Sequence, residues 1–457
     1  MLPAVPRNRI IGALKLDDNK LRKQEFIQRV DAVLEKHSGA GVDRIQFRAP
    51  FDNKHRDQIE RWVNFATASK AKQIIFDFST ASDISQPCNF DLHLLDDSKS
   101  LSLRSIKLCS VSLKVPVGFK GFQNLKSTYL ADTNITDDGL QHLMSNCSVL
   151  EFLGIAGCAM LTTLQISHPS NTLKHLHVYD CCLLQGMELN FGLVRLEYRG
   201  LPIVLSPPGT LLLTNMCIKL EGICTSLEYI FTKLRDNVPR LEVLNLKCQE
   251  YKMTTLPGKL HEFVYLKHLI LELTFESCQR GKTDILQFAC LLVAAPSLEK
   301  LEFHMWLRWG RERYRAEDGS LRSLPSQPHS HLRSVDITGF YGEKDRLELV
   351  LHILRDSVAL ESMKVDPSPV VAADVNRLGG LGSMHVPHFV DGYEVALEFL
   401  CSRDRRNVVH GASPDIIERA RRGSSPLSPR NSSAKASWQR VKRVKRLSRP
   451  SSSRGAS

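Results

Sequence analysis

A chain of 457 residues with 42% hydrophobic and 24% charged residues can bury a sizeable core, as two or three compact domains or as one elongated array. No uninterrupted apolar run approaches the about 20 residues of a membrane helix, and the opening MLPAVPRNRIIGALKLDDNK lacks the apolar stretch and cleavage site of a secretory leader. The chain reads as intracellular, nuclear or cytoplasmic, with no membrane partner and its 12 cysteines as free thiols.

The net charge of +12 has one location. Twelve Lys and Arg between Arg419 and Arg454, with no acid among them, carry the whole excess, so the body is electroneutral and only the tail is basic.

In chain order, the first predicted element is a helix. Phe26, Val30, Val33 and Leu34 repeat at i, i+4, i+7 and i+8, and the pattern breaks at Ser38-Gly39 before the strand VDRIQF. A second stripe, Ile59, Trp62, Val63 and Ala66, precedes the strand AKQIIFDF. Both strands open on the L-x-x-L-x-L core of a leucine-rich repeat, with other apolar residues allowed. That core begins at Val42, Ala71, Leu103, Leu193, Leu241, Leu266, Leu298, Leu332 and Leu360, and a weaker copy at Leu125 has Thr128 in an apolar place.

Two copies fill the longer frame L-x-x-L-x-L-x-x-N/C-x-L: Leu150, Leu153, Ile155 and Cys158, then Leu173, Leu176, Val178 and Cys181. The spacing between copies is irregular, roughly 20 to 34 residues, which predicts an uneven solenoid. In this frame the first, fourth and sixth positions turn inward from a short parallel strand, and the ninth ties the turn to neighbouring backbone. The stretch LKHLHVYDCCL crowds His175, His177, Cys181 and Cys182 together, yet reads as repeat. Cys158 and Cys181 fall on turns, the others on the strand face or at the surface. Zinc would require paired spacings such as C-x-x-C with a second pair, which the chain lacks, so no metal or other cofactor is expected.

After the strand at Leu298 comes a long connection, HMWLRWGRERYRAEDGSLRSLPSQPHSH. Its Trp306, Arg308, Trp309, Arg311, Arg313 and Tyr314 are of the types enriched at binding hot spots and form a candidate partner site. The plainer alternative is that Met305, Trp306 and Leu307 continue a buried strand while the arginines form a solvated loop. A third stripe, Leu347, Val350, Leu351 and Leu354, lies between the strands LRSVDI and LESMKV. Such strand-helix-strand units predict a parallel sheet with right-handed crossovers.

Catalytic signatures are absent. NRLGGLGSMH lacks the G-x-G-x-x-G spacing of a dinucleotide site, and no P-loop, G-x-S-x-G elbow or H-E-x-x-H occurs, so no catalytic residue is assigned and the chain is not read as an enzyme. The tail is poor in apolar residues and is expected to be disordered. Within it Arg440, Lys442, Arg443, Lys445 and Arg446 form a candidate nuclear-import patch, and Ser425-Pro and Ser428-Pro fit proline-directed kinases. Any nucleic-acid contact through this tail would be weak and salt-sensitive.

Three segments carry a family resemblance: FIQRVDAVLEKHSGAGVDRIQFR, LEFLGIAGCAMLTTLQISHPSNTLKHLHVYDCC and HLRSVDITGFYGEKDRLELVLHILRDSVALESMKVDP. They resemble the plant F-box leucine-rich-repeat proteins of the FBD-associated type, over about residues 20 to 400. The resemblance implies an F-box docked on a Skp-type adaptor of a cullin ubiquitin ligase, with the repeats holding the protein to be ubiquitylated. Only some 20 residues precede the first matching segment, and MLPAV is a faint echo of an F-box opening. The chain is thus expected to lack the F-box, through loss or a truncated gene model, with adaptor docking only if a complete product carries it.

The expected architecture is an α/β, irregular leucine-rich-repeat solenoid: a curved parallel sheet with helices and loops on its convex side. Residues 1–100 would hold helix-strand units opening the array, 101–325 irregular repeats, 326–400 FBD-like units and 401–457 the basic tail. The expected function is a protein-interaction scaffold resembling the substrate-recognition part of an SCF-type ligase. The alternative is a nuclear protein that binds polyanions through its tail.

Overall fold

A computed structural model describes residues 13–17, 23–37, 42–79, 87–95, 101–120, 122–166, 172–189, 192–206, 209–220, 229–250, 261–275, 284–307, 312–369 and 386–411. The chain divides into two compact units, Met1–Met216 and Cys217–Ser457. No helix among the described residues is long and apolar enough to cross a membrane.

In the first unit the repeat leucines lie where the frame puts them. The strands Arg44–Arg48, Gln73–Asp77, Ser105–Cys109, Ser127–Ala131, Phe152–Ala156, His175–Tyr179 and Arg195–Gly200 each start two residues after a repeat start, and neighbours pair in parallel and in register. Leu150, Leu153, Ile155, Cys158, Leu173, Leu176, Val178 and Cys181 are all buried. Ala13–Asp17 adds a further parallel strand beside Arg44–Arg48, ahead of the repeats read from the sequence.

The turns after these strands share one device. Ser110, Asp132 and Asp180 take left-handed backbone, as does Gly157, a conformation that Gly and Asp tolerate best. Their amides continue the ladder past the strand ends: Asp132 donates to Ala156 O at 2.7 Å and Asp180 to Arg199 O at 2.8 Å. After Asp132, Gly157 and Asp180 the next residue turns inward and caps carbonyls. Cys158 Sγ lies 3.6 Å from Ala156 O and 3.9 Å from Leu130 O, and Cys181 Sγ 3.6 Å from Tyr179 O. Thr133, fully buried, fills the same role with its hydroxyl on Ala131 O at 3.1 Å.

Behind the sheet, repeat length decides what returns the chain. The long early repeats carry the helices Lys23–Lys36 and Arg56–Ala68, whose Phe26, Val30, Ile59, Trp62, Val63 and Ala66 are buried; Val33 and Leu34 are only half-buried. Trp62 stacks on Phe47 at 4.8 Å, and its indole N–H donates to Asp31 at 2.9 Å. The repeats after Cys158 are too short for a helix. They return instead through the strands Thr163–Ile166, Gly186–Leu189 and Val204–Ser206, a second parallel sheet where helices and loops were expected on the convex side.

In the second unit the strands Val243–Glu250, His268–Phe275, Lys300–Leu307, Ser334–Thr338, Ser362–Asp366 and Val409–Gly411 pair in parallel, in chain order. The strand Asn215–Leu220, at the division between units, fills the frame with Leu213, Met216 and Ile218, a copy not named from the sequence.

The helix Lys344–Asp356 is covered on more than its apolar stripe. Leu347, Val350 and Leu354 are buried, but so are Arg346, Glu348, His352 and Asp356. The reason is the long connection before it: residues 321–331 cross its outer side as a strap. Arg322 binds Glu348 and Asp284 at 2.6 Å each, Ser326 donates to Asp356 at 3.1 Å, and the Gln327 amide to the same carboxylate at 3.1 Å. Burial alone would raise the Asp356 carboxyl; Arg355, Gln327 and Ser326 more than offset it and hold it at about 2. A depressed carboxyl stabilises above its unfolded range, so this hold on the strap is complete above pH about 4 and lost as pH falls through 2. At neutral pH, Asp356→Asn is expected to accelerate hydrogen exchange at the Gln327 amide, with core strand amides such as Ile337 unchanged. Equal exchange in both proteins would contradict a strap held by this carboxylate.

Candidate interaction surface

Once the leucines face inward, the alternate residues of each strand are committed to the other side of the sheet. In the first unit the register puts Lys107, Tyr129, Gly154, His177 and Glu197 in one row across five strands, beside a row of Ser105, Ser127, Phe152, His175 and Arg195.

Gly154 shapes the middle of this face. A Cβ there would lie 2.2 Å from Tyr129 Cδ2 and 3.2 Å from Phe152 Cε1, so only glycine lets the Tyr129 ring lie across the strand. The Lys107 ammonium sits over that ring, 4.7 Å from its centre. Phe152 meets His177 edge-on at 4.7 Å. Beyond it, Glu197 accepts from Tyr179 and from Arg195 at 2.6 Å, with His177 Nε2 at 3.3 Å. Burial would raise the Glu197 carboxyl, but these donors hold it below its usual range. Burial also depresses the His177 imidazole, against the pull of Glu197. The result is a half-buried aromatic row with a cation at one end and a satisfied acid at the other.

The matching face of the second unit is polar and paired within itself. Glu302 accepts from Lys300 at 2.6 Å and contacts His268 Nε2 at 2.9 Å and His304 Nε2 at 3.2 Å. Burial opposes ionisation of Glu302, yet these partners bring its carboxyl down to about 2. His304 Nδ1 is hydrogen-bonded to Thr338 at 2.9 Å, and the acids Asp336 and Glu272 are held by Lys364 and Lys247. Such a surface has fewer open valences for a partner than the aromatic row.

A family profile described as At1g61320/AtMIF1, LRR domain, matches residues 33–378. The chain belongs to this leucine-rich-repeat family. Among curated relatives, the F-box/FBD/LRR-repeat protein At1g13570 of Arabidopsis thaliana is 23% identical over 77% of this chain and 79% of its own length. The putative F-box/FBD/LRR-repeat protein At5g62970 is 25% identical over 74% of each chain, and F-box/LRR-repeat protein 13 is 26% identical over 46% of this chain and 48% of its own. Both are also from Arabidopsis thaliana.

Within this leucine-rich-repeat chain, the candidate residues named from the sequence fall in different places. Trp306 ends up buried at the strand Lys300–Leu307, as the plainer alternative had it. Tyr314 is buried too, its hydroxyl donating to Gly319 O at 2.9 Å and its ring against Phe399 at 5.1 Å. Neither presents a surface to a partner. Arg313 is engaged by Glu394 and Asp391, so it fastens the connection to the helix Val386–Val395. Arg308, Trp309 and Arg311 lie outside the described residues, as do the Leu378–Met384 glycine cluster, Ser425, Ser428 and the patch Arg440, Lys442, Arg443, Lys445 and Arg446.

The histidine and cysteine crowd resolves into separate roles. His175 and Cys182 are exposed, His177 belongs to the aromatic row, and Cys158 and Cys181 are buried turn residues. A hydrogen bond with Cys181, together with burial, keeps the Cys158 thiol well above its ordinary range, so it stays protonated. The row itself was not singled out in the sequence, because its members sit at the unspecified positions of the repeat frame. Their signal was the aromatic content between the leucines, as in Tyr129, Phe152 and Tyr179.

Proposed function

We propose that the protein is a leucine-rich-repeat scaffold that holds another protein on the solvent side of its first unit, in the manner of the substrate-recognition part of an SCF-type ubiquitin ligase. The observation that carries the reading is the aromatic row, in which Tyr129 is laid flat by Gly154 beside Phe152 and His177. Aromatic side chains presented on a rigid parallel sheet bury much area at little entropic cost, which is what a hot spot requires. The ligase part rests on the F-box names of the relatives At1g13570 and At5g62970.

The test is capture from the native cell lysate with the wild-type chain and with a Tyr129→Ala, Phe152→Ala double variant. Both residues are half-buried, so the melting temperature should change little while captured proteins are lost. A Skp-type adaptor and a cullin among the proteins held by wild type support the ligase role. Identical capture by the double variant would remove the aromatic row from function. Capture that disappears only on deleting residues 419–457 would favour polyanion binding by the tail.

A further inference from the structure

The charges around the aromatic row are unbalanced in one direction. Just ahead of the strands, Arg104, Lys126, Glu151 and Lys174 stand side by side, joined by backbone bonds from Lys126 N to Arg104 O at 2.8 Å, Glu151 N to Lys126 O at 2.8 Å and Lys174 N to Glu151 O at 3.0 Å. Lys126 and Glu151 neutralise each other at 2.6 Å, and this contact holds the Glu151 carboxyl below its usual range. The Arg104 guanidinium donates to the Asn124 carbonyl at 3.2 Å and has no salt bridge among the described residues. Lys107 rests on the Tyr129 ring, and Lys174 has no ion pair among the described residues. The one acid within the row, Glu197, is already held by Arg195, His177 and Tyr179. Arg104 and Lys174 are thus left where the strands begin, and Lys107 in mid-strand, with no salt bridge among the described residues.

The far ends of the strands have the opposite sign. Asp77 is paired with Arg48 at 2.8 Å and Asp180 with Arg199 at 3.0 Å, while the Asp132 carboxyl between them is pushed up by burial and by both neighbours. An anion placed there would be repelled.

We infer that the segment this face receives is an acidic stretch of a partner protein, running across the beginnings of the strands with carboxylates on Arg104, Lys107 and Lys174 and an apolar side chain on Tyr129 and Phe152. The inference rests on the binding role proposed above for this face and adds the chemistry of its occupant. Arg104 and Lys174 are three strand steps apart, about 14 Å at about 4.8 Å per step, the reach of about four extended residues. Carboxylates about four residues apart in an extended segment therefore match both. A nucleic acid fits less well, since Glu151 and Glu197 interrupt the cations and would oppose a continuous run of phosphates. Lys107 is the central contact: a carboxylate on its ammonium completes a stack that Tyr129 and Gly154 already fix in place.

The full-length chain is to be mixed with a synthetic decapeptide holding two glutamates four residues apart and one photoreactive benzoylphenylalanine, with its lysine counterpart, and with an oligodeoxythymidine competitor. The acidic peptide is expected to crosslink at Tyr129 or Phe152, with yield falling about tenfold in Lys107→Glu, surviving in Lys107→Arg and weakening with added salt, while the lysine peptide leaves no mark there. Lys107 is half-buried on the solvent side of its strand, so the melting curve of each variant is recorded beside its crosslinks, and Lys107→Arg separates loss of charge from loss of packing. Crosslinks at the row that are unchanged in Lys107→Glu, crosslinks confined to residues 412–457, or displacement by the oligonucleotide at equal charge concentration would each overturn the acidic segment. The two proposals separate cleanly in the lysate: proteins lost with Tyr129→Ala, Phe152→Ala but kept by Lys107→Glu leave the binding face standing and overturn the acidic partner.

Discussion

Leu176→Asp is expected to abolish cooperative melting of the first unit. Leu176 is 0% exposed on the strand His175–Tyr179, between the strands Phe152–Ala156 and Arg195–Gly200. Removing its side chain forfeits about 1.5–3 kcal/mol of apolar burial, and an unpaired carboxylate in its place adds several kcal/mol more. Together these approach the about 5–15 kcal/mol that holds a typical domain folded. Repeats lean on their neighbours, so the damage should spread along the unit rather than stay at one strand. Circular dichroism melting and hydrogen exchange over residues 152–200 read the effect. A melting curve equal to wild type would contradict the packing of this strand.

The second large effect is expected in the other unit, at a charge pair sealed from water. Arg346 and Glu343 have side chains 2% and 4% exposed, with Nε and Oε2 3.1 Å apart, and Arg346 also donates to Gly339 O and covers the Tyr341 ring at 5.1 Å. Arg346→Met takes the guanidinium away from the buried Glu343 carboxylate, which should destabilise the unit by about 3–5 kcal/mol. The double variant Glu343→Gln, Arg346→Met should recover most of that loss, because a buried ion pair is worth little against well-packed neutral side chains. Urea unfolding at neutral pH compares the two. A single variant no less stable than the double would show that the pair does not act as a unit.

Much of the fold was written in short-range spacing. Leu150, Leu153 and Ile155, or Leu173, Leu176 and Val178, fix strand, inward face and parallel stacking at once, because a period of two tells one face of a strand from the other. The spacing was less informative on the reverse side of the repeats. Thr163–Ile166 and Gly186–Leu189 became strands where only helices and loops were expected, since the residues left between Phe152 and Arg195 are too few for helical returns.

The site divides along the same line. Aromatic and arginine content drew attention to Trp306, Arg313 and Tyr314, yet composition cannot tell a buried tryptophan from an exposed one. The second unit takes Trp306 and Tyr314 into its interior and spends Arg313 on Asp391 and Glu394. The aromatic row, in contrast, draws on residues that no local pattern links. Lys107, Tyr129, Gly154, His177 and Glu197 come from five repeats and meet only through sheet register.

By itself the sequence determined the repeat strands, their inward leucines and the turns at Cys158 and Cys181, because those depend on periodicity within about ten residues. Only the tertiary structure decided that Gly154 lays Tyr129 flat, that Asp356 anchors a strap and that Arg104, Lys107 and Lys174 carry no salt bridge among the described residues. Each of these depends on side chains brought together from distant parts of the chain, where distance and burial, rather than spacing, set the energy.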